Sequence, residues 1–205
     1  MQPGEAASER TFIETARRAQ IVASAIDTIA EAGYAQASFA RIAERVGISR
    51  GLISYHFAGK DDLLAACVAE IEQVTEAYMQ PRIDAADGHV AQLRAYIESN
   101  IALVGEHPAA VRALIDIVRN SRSASAAVNG RLALFEEHFR TGQAAGIFRP
   151  FDTRTVAIAL MTGLDAVVVT AAETAPEPAE LARLGSELAE LYVRATAPDP
   201  EEGSA

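Results

Sequence analysis

The chain has 205 residues, half of them apolar, with a formal net charge of −10 and an isoelectric point near 4.9. That length holds one large or two small domains with a sizeable core, and the acidity excludes a protein that is basic throughout. Cys67 is the single cysteine, which excludes an intrachain disulfide and makes a reducing, cytoplasmic compartment the simplest reading. The segment MQPGEAASER carries no apolar signal sequence, and it and PDPEEGSA read as disordered tails over 1–14 and 197–205.

The first helical pattern lies in RRAQIVASAIDTIAEAGY, where Ile21, Ala25, Ile29 and Ala32 form one stripe closed by Gly33. Residues 38–60, SFARIAERVGISRGLISYHFAGK, then read as a helix-turn-helix followed by the start of a third helix. Ser38 is placed to cap a helix with Ile42, Ala43 and Val46 on one face. Gly47 supplies the tight connection, and Ser49 caps a second short helix on which Ile53 and Phe57 point inward. Arg50, Gly51, Leu52, Ser54, Tyr55 and His56 are left for its other surfaces, as the helix that enters a major groove requires. A long helix follows from Lys60 to about Pro81, with Asp61 and Asp62 in its first turn and Leu64, Cys67, Ile71, Val74 and Tyr78 on its stripe.

Further helices are marked by Val90 to Val104, by Val111 to Val118 after Pro108, and by Leu132, Phe135 and Phe139. Asp152 caps a helix running to about Ala172, and Pro176 and Pro178 precede the last one, to about Ala195. No segment alternates at period two, so the fold class is all-α. The most apolar stretch, Ala157 to Ala172, is short for a membrane span and contains Asp165; the chain reads as soluble, with no membrane partner.

From Arg17 to Leu64, about a quarter of the chain, the sequence resembles the DNA-binding domain of TetR-family transcriptional regulators. The resemblance rests on the first aliphatic stripe, Gly33-Tyr34, Ala43…Gly47-Ile48-Ser49, Gly51, His56-Phe57, and Lys60 before Leu63-Leu64. It implies an N-terminal three-helix bundle over 15–60 and a larger helical ligand-binding and dimerisation domain over 61–196. It also implies a homodimeric repressor that binds a palindromic double-stranded operator and is released by a small-molecule effector. An activator, or a ligand-independent DNA-binding regulator, is the alternative; a helical enzyme or carrier is a third class.

In this reading Arg50, Leu52 and Ser54 meet bases. Ser38, Arg41, Tyr55, His56 and Lys60 hold phosphates, Ser49 caps the recognition helix, and Gly51 lets that helix lie close to the duplex. The family often has tyrosine where this chain has Ser54, so phosphate contact by an aromatic hydroxyl falls to Tyr55. Charge agrees with the placement. Residues 1–60 hold 7 basic and 6 acidic side chains, net +1, against 11 and 22, net −11, in the remainder. Within 38–60, Arg41, Arg45, Arg50 and Lys60 face Glu44 alone.

Leu181, Leu184, Leu188 and Leu191 make a narrow three-four-three seam. With Leu160, Leu164 and Val167 of the preceding helix they are the expected dimer interface, since the resemblance implies a four-helix bundle between subunits. The candidate effector-binding residues are Asn100, Arg119, His138, Phe139, Met161 and Asp165. Asp165, a charge among apolar residues, either lines a cavity or pairs across the dimer seam. His89 and His107 read as surface or capping residues. Four histidines without an H-E-x-x-H arrangement, one cysteine, and no nucleophile elbow, P-loop or dinucleotide fingerprint point to no catalytic residues, no metal and no cofactor.

Overall fold

The structure, a computed structural model, describes residues 3–120 and 125–198, with side chains from 13–120 and 130–198. Among the described residues it is helical without a strand. The helices are α1 (Pro3–Ala32), α2 (Phe39–Val46), α3 (Arg50–His56), α4 (Lys60–Asp84), α5 (Gly88–Glu106), α6 (Pro108–Asn120), α7 (Ser125–Ala144), α8 (Thr153–Thr174) and α9 (Pro178–Thr196). A 3-10 turn, Tyr34–Gln36, separates α1 from α2.

Two boundaries differ from the sequence expectation. Helix α1 begins at Pro3, so the segment 1–14, expected to be a disordered tail, is helical from that residue. Helix α4 continues through Pro81 to Asp84. The ring of Pro81 removes one amide donor, and both Pro81 and Ala77, whose carbonyl loses that donor, are exposed to water. Most of the expected tail 197–205 lies outside the described residues.

The chain packs as two units, Met1–Gln73 with Ala109–Ser121, and Val74–Pro108 with Arg122–Ala205. The expected division after residue 60 is therefore displaced, and α6 belongs with the N-terminal helices. The reason is a shared core. Ile21, Ala25 and Ile29 of α1, Ile42 of α2 and Ile53 of α3 are buried, as is Phe57 just after it. So are Leu63, Leu64, Cys67 and Ile71 of α4, and Ala113 and Ile117 of α6. Burial pushes the Cys67 thiol up to about 12, so it stays a protonated core side chain.

In the second unit α5 packs against α8 and α9, and α7 against α8. Small residues permit the close crossings. A methyl on Gly185 would stand 3.3 Å from the Glu98 backbone, and one on Gly163 3.0 Å from the Tyr192 hydroxyl. That hydroxyl donates to the Ala159 carbonyl at 2.7 Å, tying α9 to α8. Arg94 of α5 reaches Glu190 of α9 at 2.6 Å. Phe139 is completely buried, with Phe148 and Phe151 set edge-on to it at 5.7 and 5.5 Å between ring centroids.

His89 and His138 join this aromatic cluster, with ring centroids 5.1 Å apart. His138 Nε2 donates to the His89 carbonyl at 3.1 Å. The Thr141 hydroxyl gives its proton to the Glu137 carbonyl at 2.9 Å and therefore accepts from His89 Nε2 at 3.1 Å. Both imidazoles thus carry their proton on Nε2 in the neutral pair. His89, expected at the surface or as a cap, is instead half-buried in the cluster, because Gly142 lets the Phe148 ring lie directly on α7.

Two outcomes follow from this packing. A methyl on Gly142 would stand 2.3 Å from Phe148 Cδ2 and 3.2 Å from His89 Cδ2. Gly142→Ala should therefore lower stability by about 1–3 kcal/mol, read as a fall in melting temperature. Burial, then the neighbouring His89, lower the His138 pKa from 6.5, while its bond to the His89 carbonyl opposes them. The unfolded chain then takes up this proton before the folded one. The contribution of His138 is complete above about pH 6.5 and is lost as the pH falls from there through the lowered folded-state pKa. The melting temperature should drop between pH 7.5 and 5.5, and His138→Gln, which keeps a donor for the His89 carbonyl, should flatten that drop.

Candidate nucleic-acid interface

The helix-turn-helix is set by local chemistry. Ser38 Oγ accepts the Arg41 amide hydrogen at 3.3 Å and opens α2. Gly47 closes it with φ 75° and ψ 36°, a left-handed conformation that favours glycine. Ser49 Oγ accepts the Leu52 amide hydrogen at 3.2 Å and opens α3. Both hydroxyls retain their own proton for donation to a phosphate. Ile53 and Phe57 anchor the recognition helix in the core at 0% and 1% exposure. This leaves Arg50, Gly51, Ser54 and Tyr55 exposed, with Leu52 and His56 half-buried at the flanks.

The exposed surface therefore carries the residues expected to face DNA, with adjustments. Tyr55 is 70% exposed; its ring meets the His56 ring edge-on at 5.2 Å, and its hydroxyl donates to Glu14 at 3.3 Å. A phosphate at Tyr55 would have to replace that carboxylate. Lys60, expected to hold a phosphate, is engaged within its own unit. Its ammonium donates to the Tyr34 carbonyl at 2.7 Å and lies 4.1 Å from the centre of the Tyr34 ring. Arg45, counted among the basic residues of this segment, is neutralised by Glu31 and Asp27 of α1. Its two bonds to Glu31 hold that carboxyl below its ordinary pKa. Arg41 and Arg50 have no ion pair among the described residues. Arg41 lines a shallow hollow with Thr28, Glu31, Ala32, Glu44 and Arg45.

The expected effector-binding residues are not one constellation. Arg119 is exposed on α6 and belongs to the N-terminal unit, apart from the other five. Asp165 is also exposed and makes a two-oxygen pair with Arg131 of α7, each bond 2.9 Å, so it neither lines a buried cavity nor stands unpaired. Phe139 and Met161 are core side chains, and His138 belongs to the imidazole pair. Asn100 is half-buried and donates to Met79 Sδ at 3.8 Å. From the sequence Tyr96 reads as core rather than ligand platform, and Arg131 was missed. The Tyr96 phenol is raised in pKa chiefly by burial; Arg131, Asp165 and Asn100 also act on it. Tyr96, Asn100 and the Arg131–Asp165 pair are thus near neighbours. The signal available in the sequence was their common helical face, i to i+4 from Tyr96 to Asn100.

The expected dimer residues also separate. Leu160, Leu164 and Leu181 are buried within the chain, at 0%, 1% and 5% exposure, and so are core rather than interface. Val167, Leu184 and Leu188 are half-buried, and Leu191 is 60% exposed. Ile158, 47% exposed on α8, was not anticipated.

A capped helix pair with a left-handed glycine between its members, carried on a bundle core and facing water along its second helix, is a helix-turn-helix DNA-binding domain. Residues 21–67 match the family model for bacterial regulatory proteins of the tetR family. The regulator BetI of Stenotrophomonas maltophilia is 38% identical over 89 residues, 43% of this chain and 45% of that protein. BetI of Cronobacter sakazakii is 33% identical over 109 residues, 51% and 53% respectively. The chain thus spans about half the length of the curated relatives it matches. The fatty acid degradation regulator FadR from Bacillus halodurans shares the fold with a TM-score of 0.75 at 22% identity, covering 86% of this chain and 94% of that one. FadR from Bacillus subtilis, solved with stearoyl-CoA, gives a TM-score of 0.72 at 22% identity, covering 85% and 96%. Residues 21–67 thus carry a DNA-binding domain of the tetR-family kind, and the relatives that share it are transcriptional regulators rather than enzymes.

Proposed function

We propose that the chain is a cytoplasmic homodimeric repressor that binds a palindromic operator through α3 and leaves it when a small molecule occupies the second unit. The carrying observation is the recognition helix itself: Arg50, Gly51, Ser54 and Tyr55 face water while Ile53 and Phe57 hold the helix down. Arg50 is the base-reading cation, with Leu52 and Ser54 beside it. Ser38, Arg41, Tyr55, His56 and Lys60 meet the backbone, Lys60 from its seat on Tyr34 with its remaining N–H donors.

Two copies are supported by α8. Its mean hydropathy is 1.9, enough in composition and length for a membrane span, yet only 28% of that window is buried. The uncovered apolar face, continued by Leu184, Leu188 and Leu191 on α9, fits a second copy of the same helices. The Arg131–Asp165 ion pair on its margin fits a rim in water better than lipid. For the effector, Tyr96, Asn100 and Arg131 are the candidate polar partners in the second unit. Stearoyl-CoA, bound by the Bacillus subtilis regulator of the same fold, is the first probe for a thermal-shift screen. By linkage, a molecule that weakens operator binding must itself bind less tightly to the DNA complex.

Selection of bound duplexes from a random pool should return a palindrome. On that site Arg50→Ala should weaken binding by about 10-fold or more and relax preference at one position of each half-site. Tyr55→Ala should weaken all sequences alike. Unchanged affinity in both variants, at a fixed salt concentration, would remove α3 as the DNA surface. Sedimentation should show a dimer at micromolar concentration. The double change Ile158→Glu, Leu191→Glu should give a folded monomer with operator affinity reduced by about 100-fold or more; a monomeric wild type contradicts the dimer.

A further inference from the structure

We infer that Asp116 of α6 is a positioning residue for the DNA-binding surface, acting through Tyr34 on Lys60; this rests on the reading of α2–α3 as that surface. Tyr34 opens the 3-10 turn between α1 and α2, and Gly33 before it offers no side-chain cap. The Tyr34 amide hydrogen would otherwise lack an acceptor in the turn. The Asp116 carboxylate, 82 residues away in sequence, accepts it. Asn120, one turn later on α6, donates to the other Asp116 oxygen at 2.9 Å and to its carbonyl at 2.8 Å, which fixes the carboxylate. Gly33 holds φ +87°, and a methyl there would stand 3.5 Å from the same Asp116 oxygen.

Tyr34 in turn holds Lys60 by two contacts, its carbonyl at 2.7 Å and its ring at 4.1 Å. Lys60 is the first residue of α4 and lies four positions after His56, the end of the recognition helix. The chain of contacts therefore runs from α6 to the connector before α2 and on to the junction after α3. It spans both ends of the helix-turn-helix with one carboxylate, one residue between and one ammonium. No member of the chain is required to touch DNA for Asp116 to matter.

The test is a double-mutant cycle on the duplex recovered by selection, at one salt concentration. Asp116→Ala should weaken binding about 10-fold, and Asp116→Asn, which keeps an acceptor oxygen for the Tyr34 amide, should stay within about 3-fold. In a Lys60→Met background Asp116→Ala should add less than about 2-fold. Hydrogen exchange of the Tyr34 amide should accelerate in Asp116→Ala and remain slow in Asp116→Asn, which reports the contact even if Asp116→Ala folds poorly. Wild-type affinity in a folded Asp116→Ala, effects that multiply with those of Lys60→Met, or equal Tyr34 exchange in all variants would each overturn the proposal. A wild type that binds no duplex overturns the DNA reading first.

Discussion

The DNA face depends on one apolar core that its own helices are too short to supply. A seven-residue helix is not stable in water, because nucleation costs more than so few hydrogen bonds return. The cap at Ser49 contributes about 1 kcal/mol. What holds α3 is the complete burial of Ile53 and Phe57 against α1, α2, the first half of α4 and Ala113 and Ile117 of α6. Each such side chain contributes about 1.5–3 kcal/mol when removed from water. The exposed residues of α3 take their direction from these two pegs, since a helix fixed at two points one turn apart can present only one opposite face.

Electrostatics refine that face rather than create it. The chain is strongly acidic, and its basic segment is less basic than its composition suggests, because Arg45 is neutralised by α1 and Lys60 is turned onto Tyr34. Two arginines, Arg41 and Arg50, remain as outward cations without an ion pair among the described residues. An acidic body with so small a positive patch binds non-specific DNA weakly, since that affinity scales with the number of phosphates neutralised. In the proposed dimer, affinity comes from base contacts and from the coupling of two half-sites, which would give the uncovered side of α8 and α9 a direct bearing on recognition.

The sequence made the local features legible and left the distant ones hidden. Ser38, Gly47, Ser49 and Asp152 act where their residue types imply, because a cap is decided within four residues. Stripes such as Ile21, Ala25 and Ile29 name a buried face equally well. A stripe does not say what covers it. Helix α6 reads as one more member of the large domain, yet Ala113 and Ile117 complete the DNA-binding core. The three-four-three leucine seam of α9 looked uniform, but Leu181 turns into the chain's own core while Leu191 faces water. Asp165 is an anomaly until Arg131, 34 positions away, supplies its charge. His89 becomes part of a core only because Gly142 admits Phe148. Each miss is a partner choice made by packing across many residues.

Two of the helices that build the DNA-binding core stand where the chain passes from one unit to the other. The chain passes between them at Gln73–Val74, inside the continuous helix α4, at Pro108–Ala109, in the first turn of α6, and a third time at 121–122. A helix of 25 residues extends about 37 Å, and α4 gives Leu63, Leu64, Cys67 and Ile71 of its first half to the core under the helix-turn-helix. Helix α6 gives Ala113 and Ile117 to the same core, and its Asp116 accepts from the Tyr34 amide. In the proposed mechanism, a ligand of the second unit shifts the helix-turn-helix only if it prefers one of two settings of the protein. It does so by no more than its difference in affinity for the two settings.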